Sequence, residues 1–144
     1  MMVLSIVLAV VFSNILGALW YSPVLFVKPW LRSQGLPEDL KPSEAQKKEG
    51  MRSMMYNVVT TIITMLVLGH MLAMGYQYFP SFRENAIGAS ALLGVLVWLG
   101  YVVPTTLQAV FFERKNWKTA GINLAYRIIE LVGASLLITT IGLK

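Results

Sequence analysis

The run TAGINLAYRIIELVGASLLITTI, residues 119–141, decides how the rest of this chain is read. It meets the roughly 20 residues a helix needs to cross a bilayer, yet it carries Asn123, Arg127 and Glu130 within an otherwise apolar run. At 100° per residue the steps of four and three between them keep all three within an arc of roughly 60°, so the helix has one polar face. Glu130 falls near the middle of the span. A charge at that depth costs at least about 2.5 kcal/mol on insertion scales, so Arg127 and Glu130 are expected to face protein or water, and each other.

Working outward, residues 2–20, 54–75 and 86–108 are also apolar and close to the roughly 20 residues of a span. The chain is 56% hydrophobic and only 13% charged, which ordinary soluble domains are not. These features predict an all-α polytopic membrane protein, one domain over 1–144 with four transmembrane helices and an interfacial, amphipathic segment in a first inner loop, 22–53. The first apolar segment lacks a basic leader and a small-x-small cleavage site, so it is read as a mature helix and not as a signal peptide. Cysteine is absent, which removes disulfides and thiolate metal sites.

The formal charge of +5 resembles a nucleic-acid signal only until it is mapped. Lys28, Arg32, Lys41, Lys47, Lys48 and Arg52 fall in the first loop, Arg83 alone in the second, and Arg114, Lys115 and Lys118 in the third. Basic residues so placed set topology. The first and third loops are expected on the cytoplasmic side and both termini outside, with the lipid bilayer and no nucleic acid as partner.

In helix one, Ala9, Ser13 and Gly17 form a small-residue ridge suited to close helix packing, with Asn14 beside it as interhelical glue or a ligand. Trp20 and Tyr21 are expected at the inner interface, where amphipathic rings prefer to sit. The following segment, through Trp30, is too short to span; Phe26 and Trp30 are expected to dip into the acyl boundary while Lys28 and Arg32 meet anionic lipid. Gly35-Leu36-Pro37 and Lys41-Pro42 punctuate the chain. Ser43 and Gln46 then have the spacing of a capping box, so a helix should start there and run on into helix two.

Helix two carries Asn57, and the hydroxyls of Thr60, Thr61 and Thr64 can bond back to their own helix. His70 has no second histidine and no cysteine to join it in a metal site, and a packed or hydrogen-bonded role is expected. The short outer loop makes helices two and three antiparallel neighbours. In helix three, Ser90 and Gly94 read as packing residues, and Trp98 and Tyr101 as core, lipid-facing or cavity wall. Pro104 breaks the backbone ladder; a kink is expected, with Thr105, Thr106 and Gln108 able to answer the freed carbonyl or line a pocket. Trp117 anchors the start of helix four. Trp20 to Pro23 and Trp98 to Pro104 hint at a parallel two-helix repeat.

Depth lets residues far apart in sequence be compared. At 1.5 Å per residue, Asn14 lies roughly 9 Å from the inner interface, Thr60 to Thr64 about 9 to 15 Å, Pro104 to Thr106 about 3 to 6 Å, and Asn123 and Arg127 about 6 and 12 Å. The polar groups of four helices therefore converge on the inner half. Arg127, Glu130, Asn123, Asn14, Tyr126, Thr64 and Gln108 are the candidate substrate- or proton-binding set; Trp20, Tyr21, Lys28, Trp30 and Trp117 are the candidate interfacial anchors. Three roles are open to Arg127 and Glu130: a neutralised structural pair, the wall of a water-filled vestibule, or an anion site with a proton-titrating partner.

The run Gly17-Ala18-Leu19-Trp20-Tyr21-Ser22-Pro23, followed by Phe26, Lys28 and Trp30, and later by Trp98-Leu99-Gly100, Ile122-Asn123 and Tyr126-Arg127, resembles the small membrane proteins grouped as domain of unknown function 1761. Val27 stands where that family often has glycine. The resemblance implies a four-helix membrane protein and carries over no catalytic residue; Trp20, Tyr21, Lys28, Trp30, Asn123 and Arg127 match its signature positions.

Two functions are expected. One is permeation or transport of a small solute or protons through the inner polar cluster, in a homo-oligomer because four helices enclose little space. The other is an accessory or scaffold protein binding a membrane-protein partner or anionic lipid. An enzyme is not expected: Glu130 and His70 differ in depth by about 8 Å, and no metal site, cofactor motif or activated nucleophile is found.

Overall fold

A computed structural model describes residues 1–33, 35–37 and 43–143; the Lys41-Pro42 punctuation lies outside these. The described residues form α1 (Met2–Trp20), α2 (Val27–Ser33), α3 (Glu44–Tyr78), α4 (Pro80–Glu84), α5 (Ala86–Val97), a π-helical segment (Trp98–Val102), α6 (Val103–Phe112) and α7 (Trp117–Gly142). No strand occurs among them. Four stretches are long and apolar enough to cross a membrane: α1, α3, the continuous run Ala86–Phe112, and α7. This is an all-α, four-span integral membrane protein.

Helix α7 is the hub. It has the largest buried share of the four spans, with α1 and α5 making the most extensive contacts along it and α3 packing against both α1 and α7. In lipid the approach of helices is driven by close backbone packing and not by expulsion of apolar groups from water, and the contact residues are small. Ser5, Ala9 and Ser13 of α1 are buried, so the predicted ridge is a packing face. On α5, a Cβ at Gly94 would stand 3.0 Å from Ser135 Oγ and 3.1 Å from the carbonyl oxygen of Leu131; glycine lets the two backbones meet. Met65, Leu68 and Leu72 of α3 join Ala9, Leu131, Ala134 and Ile138 in the buried apolar cluster.

Helix α3 starts where the capping box predicts. The Ser43 amide donates to Gln46 Oε1 at 2.8 Å, and the Gln46 amide donates to Ser43 Oγ at 3.3 Å. Its 35 residues make a rod about 52 Å long at 1.5 Å per residue, well beyond a hydrocarbon core of about 30 Å. The surplus is at its charged start, and every residue from 43 to 60 is exposed, with Thr61 the first to be buried. The helix thus extends the expected 54–75 span at both ends, to Tyr78, where Phe79 turns extended and Pro80 opens α4.

Two expectations are corrected here. Helices α3 and α5 are joined by α4, but they pack little against each other, and α3 has no substantial contact with α6. Each leans on α7, and the two stand apart beside it. At Pro104 the ladder widens one turn earlier, the Val103 amide donating back to the Trp98 carbonyl. An i→i−5 turn absorbs the bond that Pro104 cannot donate, and Thr105 Oγ1 donates to the carbonyls of Tyr101 at 2.7 Å and Val102 at 3.1 Å. The suggested repeat has no counterpart, since Trp20 ends α1 whereas Trp98 opens a segment in mid-span.

Candidate functional site

Glu130 has no exposed surface, and both of its oxygens are engaged from the same helix. Arg127 Nη1 donates to Oε2 at 2.6 Å and the Tyr126 hydroxyl to Oε1 at 3.0 Å. Spacings of three and four residues bring these donors onto the carboxylate without help from another helix. The Tyr126 hydroxyl also lies 3.2 Å from the carbonyl oxygen of Ser13 on α1. One phenolic proton serves two acceptors, which ties the ion pair to the α1–α7 packing. Gly17 makes room for it, since a Cβ there would sit 3.2 Å from the Tyr126 oxygen.

An aromatic wall closes over this pair. Trp20 packs on Phe26 with ring centres 4.5 Å apart and on Tyr126 at 6.2 Å. Tyr21 meets Tyr126 at 5.8 Å and the edge of Trp30 at 6.1 Å. Tyr21 donates to Asn123 Oδ1 at 2.7 Å, and burial raises its phenol above the ordinary range, with Arg127 opposing and Glu130 adding to the shift. It therefore stays a donor. Trp20 is buried, and Phe26 and Trp30 turn toward protein; the apolar side chains this segment leaves exposed are Val24 and Leu25. The expected interfacial rings here are a second packing layer, because α2 folds back on the start of α7, where Ser33 Oγ and Thr119 Oγ1 share a hydrogen bond at 2.6 Å. Lys28 and Trp117 are both exposed, and Trp117 packs edge-on against Phe111 at 5.5 Å.

Beside the wall, where α3 stands off from α5 and α6, is a cavity of about 1300 Å³. Asn14, Tyr21, Asn123, Tyr126 and Arg127 line it from α1 and α7, Val27 and Trp30 from α2. Met54, Asn57, Val58 and Thr64 form the α3 side, and Val97, Tyr101, Val102, Thr105 and Thr106 the side facing it. Five of the seven predicted binding residues thus line one space, with Glu130 directly behind Arg127. Gln108 does not join them and lies outside the lining. A smaller cavity of about 240 Å³ shares Asn123, Thr105 and Thr106 and carries Lys115.

The lining is rich in donors. Arg127 is 39% exposed and spends Nη1 on Glu130; its Nε and Nη2 have no hydrogen-bond acceptor among the described residues. Asn123, accepting from Tyr21 through Oδ1, is left with its amide NH₂. Asn14 donates to Val10 O at 2.8 Å and Thr64 to Thr60 O at 2.9 Å, so both bond to their own helices. Among the cavity's lining residues Arg127 is the one that carries a charge. Among the described residues no three His, Asp or Glu side chains come together as a metal site, and His70 is exposed.

Among the contributors outside the predicted binding set are Ser53, Asn57 and the Ser13 carbonyl. Ser53 and Asn57 are four residues apart and Asn57 and Thr64 seven, a face of α3 that its spacing could have revealed. The third, the Ser13 carbonyl, carries no sequence signal. Trp98, whose role was open, donates Nε1 to Leu124 O at 2.9 Å, fastening the π-helical segment to α7.

The family described as "Protein of unknown function (DUF1761)" matches residues 4–139. The chain belongs to that family. No curated protein and no solved structure matches it significantly. In this DUF1761 member the positions that carry the resemblance are spatially joined: Tyr21 with Asn123, Trp20 with Tyr126, Trp30 with Tyr21, and Arg127 at the cavity edge.

Proposed function

We propose that this protein binds a small anionic solute in the Arg127 cavity and passes it across the membrane by a gated route. The observation that supports this reading most directly is that Arg127, one of its nitrogens clamped by a buried carboxylate, lines a cavity with no acidic group among its described lining residues. A clamped guanidinium is a preorganised anion donor. Lys115, at the adjoining smaller cavity, is paired with Glu113 at 2.7 Å and adds no net charge there. The route is gated because the apolar cluster of Met65, Leu68, Leu72 and Ile138 leaves no open channel through one chain, and a homo-oligomer would complete it. The basic loops support an orientation with the α6–α7 turn and α2 on the cytoplasmic side and both termini outside. No catalytic step is part of this reading.

The test is flux into phosphatidylcholine vesicles holding the purified protein, with acetate and inorganic phosphate as probes. Uptake above that of empty vesicles is expected, reduced about tenfold, or 1.4 kcal/mol of binding, by Arg127→Ala and by Glu130→Gln. Uptake that neither substitution changes would remove the proposal. The accessory-protein reading retains one specific support: Lys115 and Lys118 are exposed beside Trp117 and Phe112, a pattern suited to anionic lipid.

A further inference from the structure

Among the described lining residues the cavity's single charge comes from Arg127 on α7. Its polar side chains come from every wall, Ser53, Asn57 and Thr64 of α3 and Thr105 and Thr106 opposite included, but Met54 and Val58 of α3 and Val97 and Val102 opposite offer hydrocarbon beside them. The side between α3 and α6 is not closed by helix packing, and the groups flanking it are exposed: residues 53–58, Thr105, and Tyr101 at 72%. Within the hydrocarbon of a bilayer such a gap meets acyl chains, not water. The volume of about 1300 Å³ also exceeds the roughly 300–1,000 Å³ typical of sites for drug-sized ligands. A small inorganic anion would leave most of this space, and all of its apolar wall, unused.

We infer that the cavity takes a single-chain amphiphile with an anionic head, carboxylate or phosphate, held by Arg127 and the Asn123 amide, its tail leaving between α3 and α6 into the bilayer. The inference rests on the anion-site reading and specifies its substrate class. Arg127 supplies two nitrogens, Nε and Nη2, with no acceptor among the described residues, side by side on a rigid fork and matched to two oxygens of one head. Glu130 behind it fixes the fork and makes the empty site electrically neutral. Entry from the side requires no water-filled path, which agrees with the apolar cluster that closes the outer half.

A diazirine-bearing palmitate, photoactivated with the protein in phosphatidylcholine nanodiscs, tests this. Labelling is expected on Met54, Val58 or Val102, displaced by unlabelled palmitate but not by its methyl ester. It should fall about tenfold in the paired variant Arg127→Gln/Glu130→Gln, which leaves no lone buried charge, and in Val58→Trp, which fills the gap and keeps the ion pair. Displacement by the methyl ester equal to that by palmitate, or labelling unchanged in both variants, would overturn the inference. Displacement by acetate or phosphate as effective as by palmitate would also overturn it, while leaving the small-anion reading standing. Labelling that no anion displaces would defeat both. Because the chain has no cysteine, Val58→Cys adds a single thiol; its efficient cross-linking to the same thiol of a second copy would assign the gap to a subunit contact and overturn the amphiphile.

Discussion

The Tyr21 hydroxyl donates to Asn123 Oδ1 at 2.7 Å across 102 positions of sequence, joining the end of α1 to the second turn of α7 beside the cavity. That bond orients Asn123 so that its amide NH₂ is the group presented to a ligand. Tyr21→Phe should lower stability by about 0.6–1.7 kcal/mol, the range of polar contacts between membrane helices, measured by unfolding in detergent. Because the phenol's pKa is raised from 10.0 by burial, its contribution is full below that value and is lost as pH rises through the folded-state value. The wild-type advantage over Tyr21→Phe should therefore be flat near neutrality and shrink above pH 10.

Glu130 is wholly buried while Arg127 is partly exposed, so the two halves of the pair are not equivalent. Arg127→Ala should cost about 3–5 kcal/mol, because it strands a buried carboxylate. Glu130→Gln leaves a cation that can reach the cavity, and should cost less. Adding Glu130→Gln to Arg127→Ala should restore much of the loss. Additive costs in this double-mutant cycle would show that the two side chains are not coupled.

Glycines at two places on the helices should respond in opposite directions. Gly94→Ala pushes a methyl group against the backbone of Leu131 and Val132 and should destabilise by about 1–3 kcal/mol. Gly121 has nothing within 4 Å of an added Cβ, so Gly121→Ala should stabilise by up to about 1 kcal/mol through helix propensity alone. Thermal unfolding of the two variants checks both signs.

The capping box at Ser43 holds an exposed part of α3 that stands clear of the bundle. Ser43→Ala should cost about 1 kcal/mol locally, seen as faster amide exchange over residues 44–52. Protection at Met65 to Leu72 should not change, since those residues are fixed by α1 and α7. Loss of protection along the whole helix would show that α3 opens as one unit.

Much of the fold was legible because membrane spans announce themselves by length and apolarity, and because Ser43 and Gln46, Pro80 and Pro104 are local signals. The convergence of Asn14, Thr64, Asn123 and Arg127 was also readable, since helix rise converts position into depth. Gln108 failed the same reasoning: depth alone does not fix the angle of a side chain about its helix, and the five-residue π turn before Pro104 rotates the facing of every later residue on that span. The packing of Trp20 on Phe26 and Tyr126 was not legible, because an aromatic residue at the end of a span looks alike in sequence whether it meets lipid or another ring.

By itself the sequence determined that four helices are apolar enough to cross the membrane and that Arg127 and Glu130 must face protein or water, because hydrocarbon penalises unsatisfied backbone and charge. Tertiary structure decided which helix is central, which donors remain free, and on which side the bundle is open. Those depend on how closely backbones approach at Gly17 and Gly94 and on the divergence of α3 from α6, and neither can be read from residues considered one helix at a time.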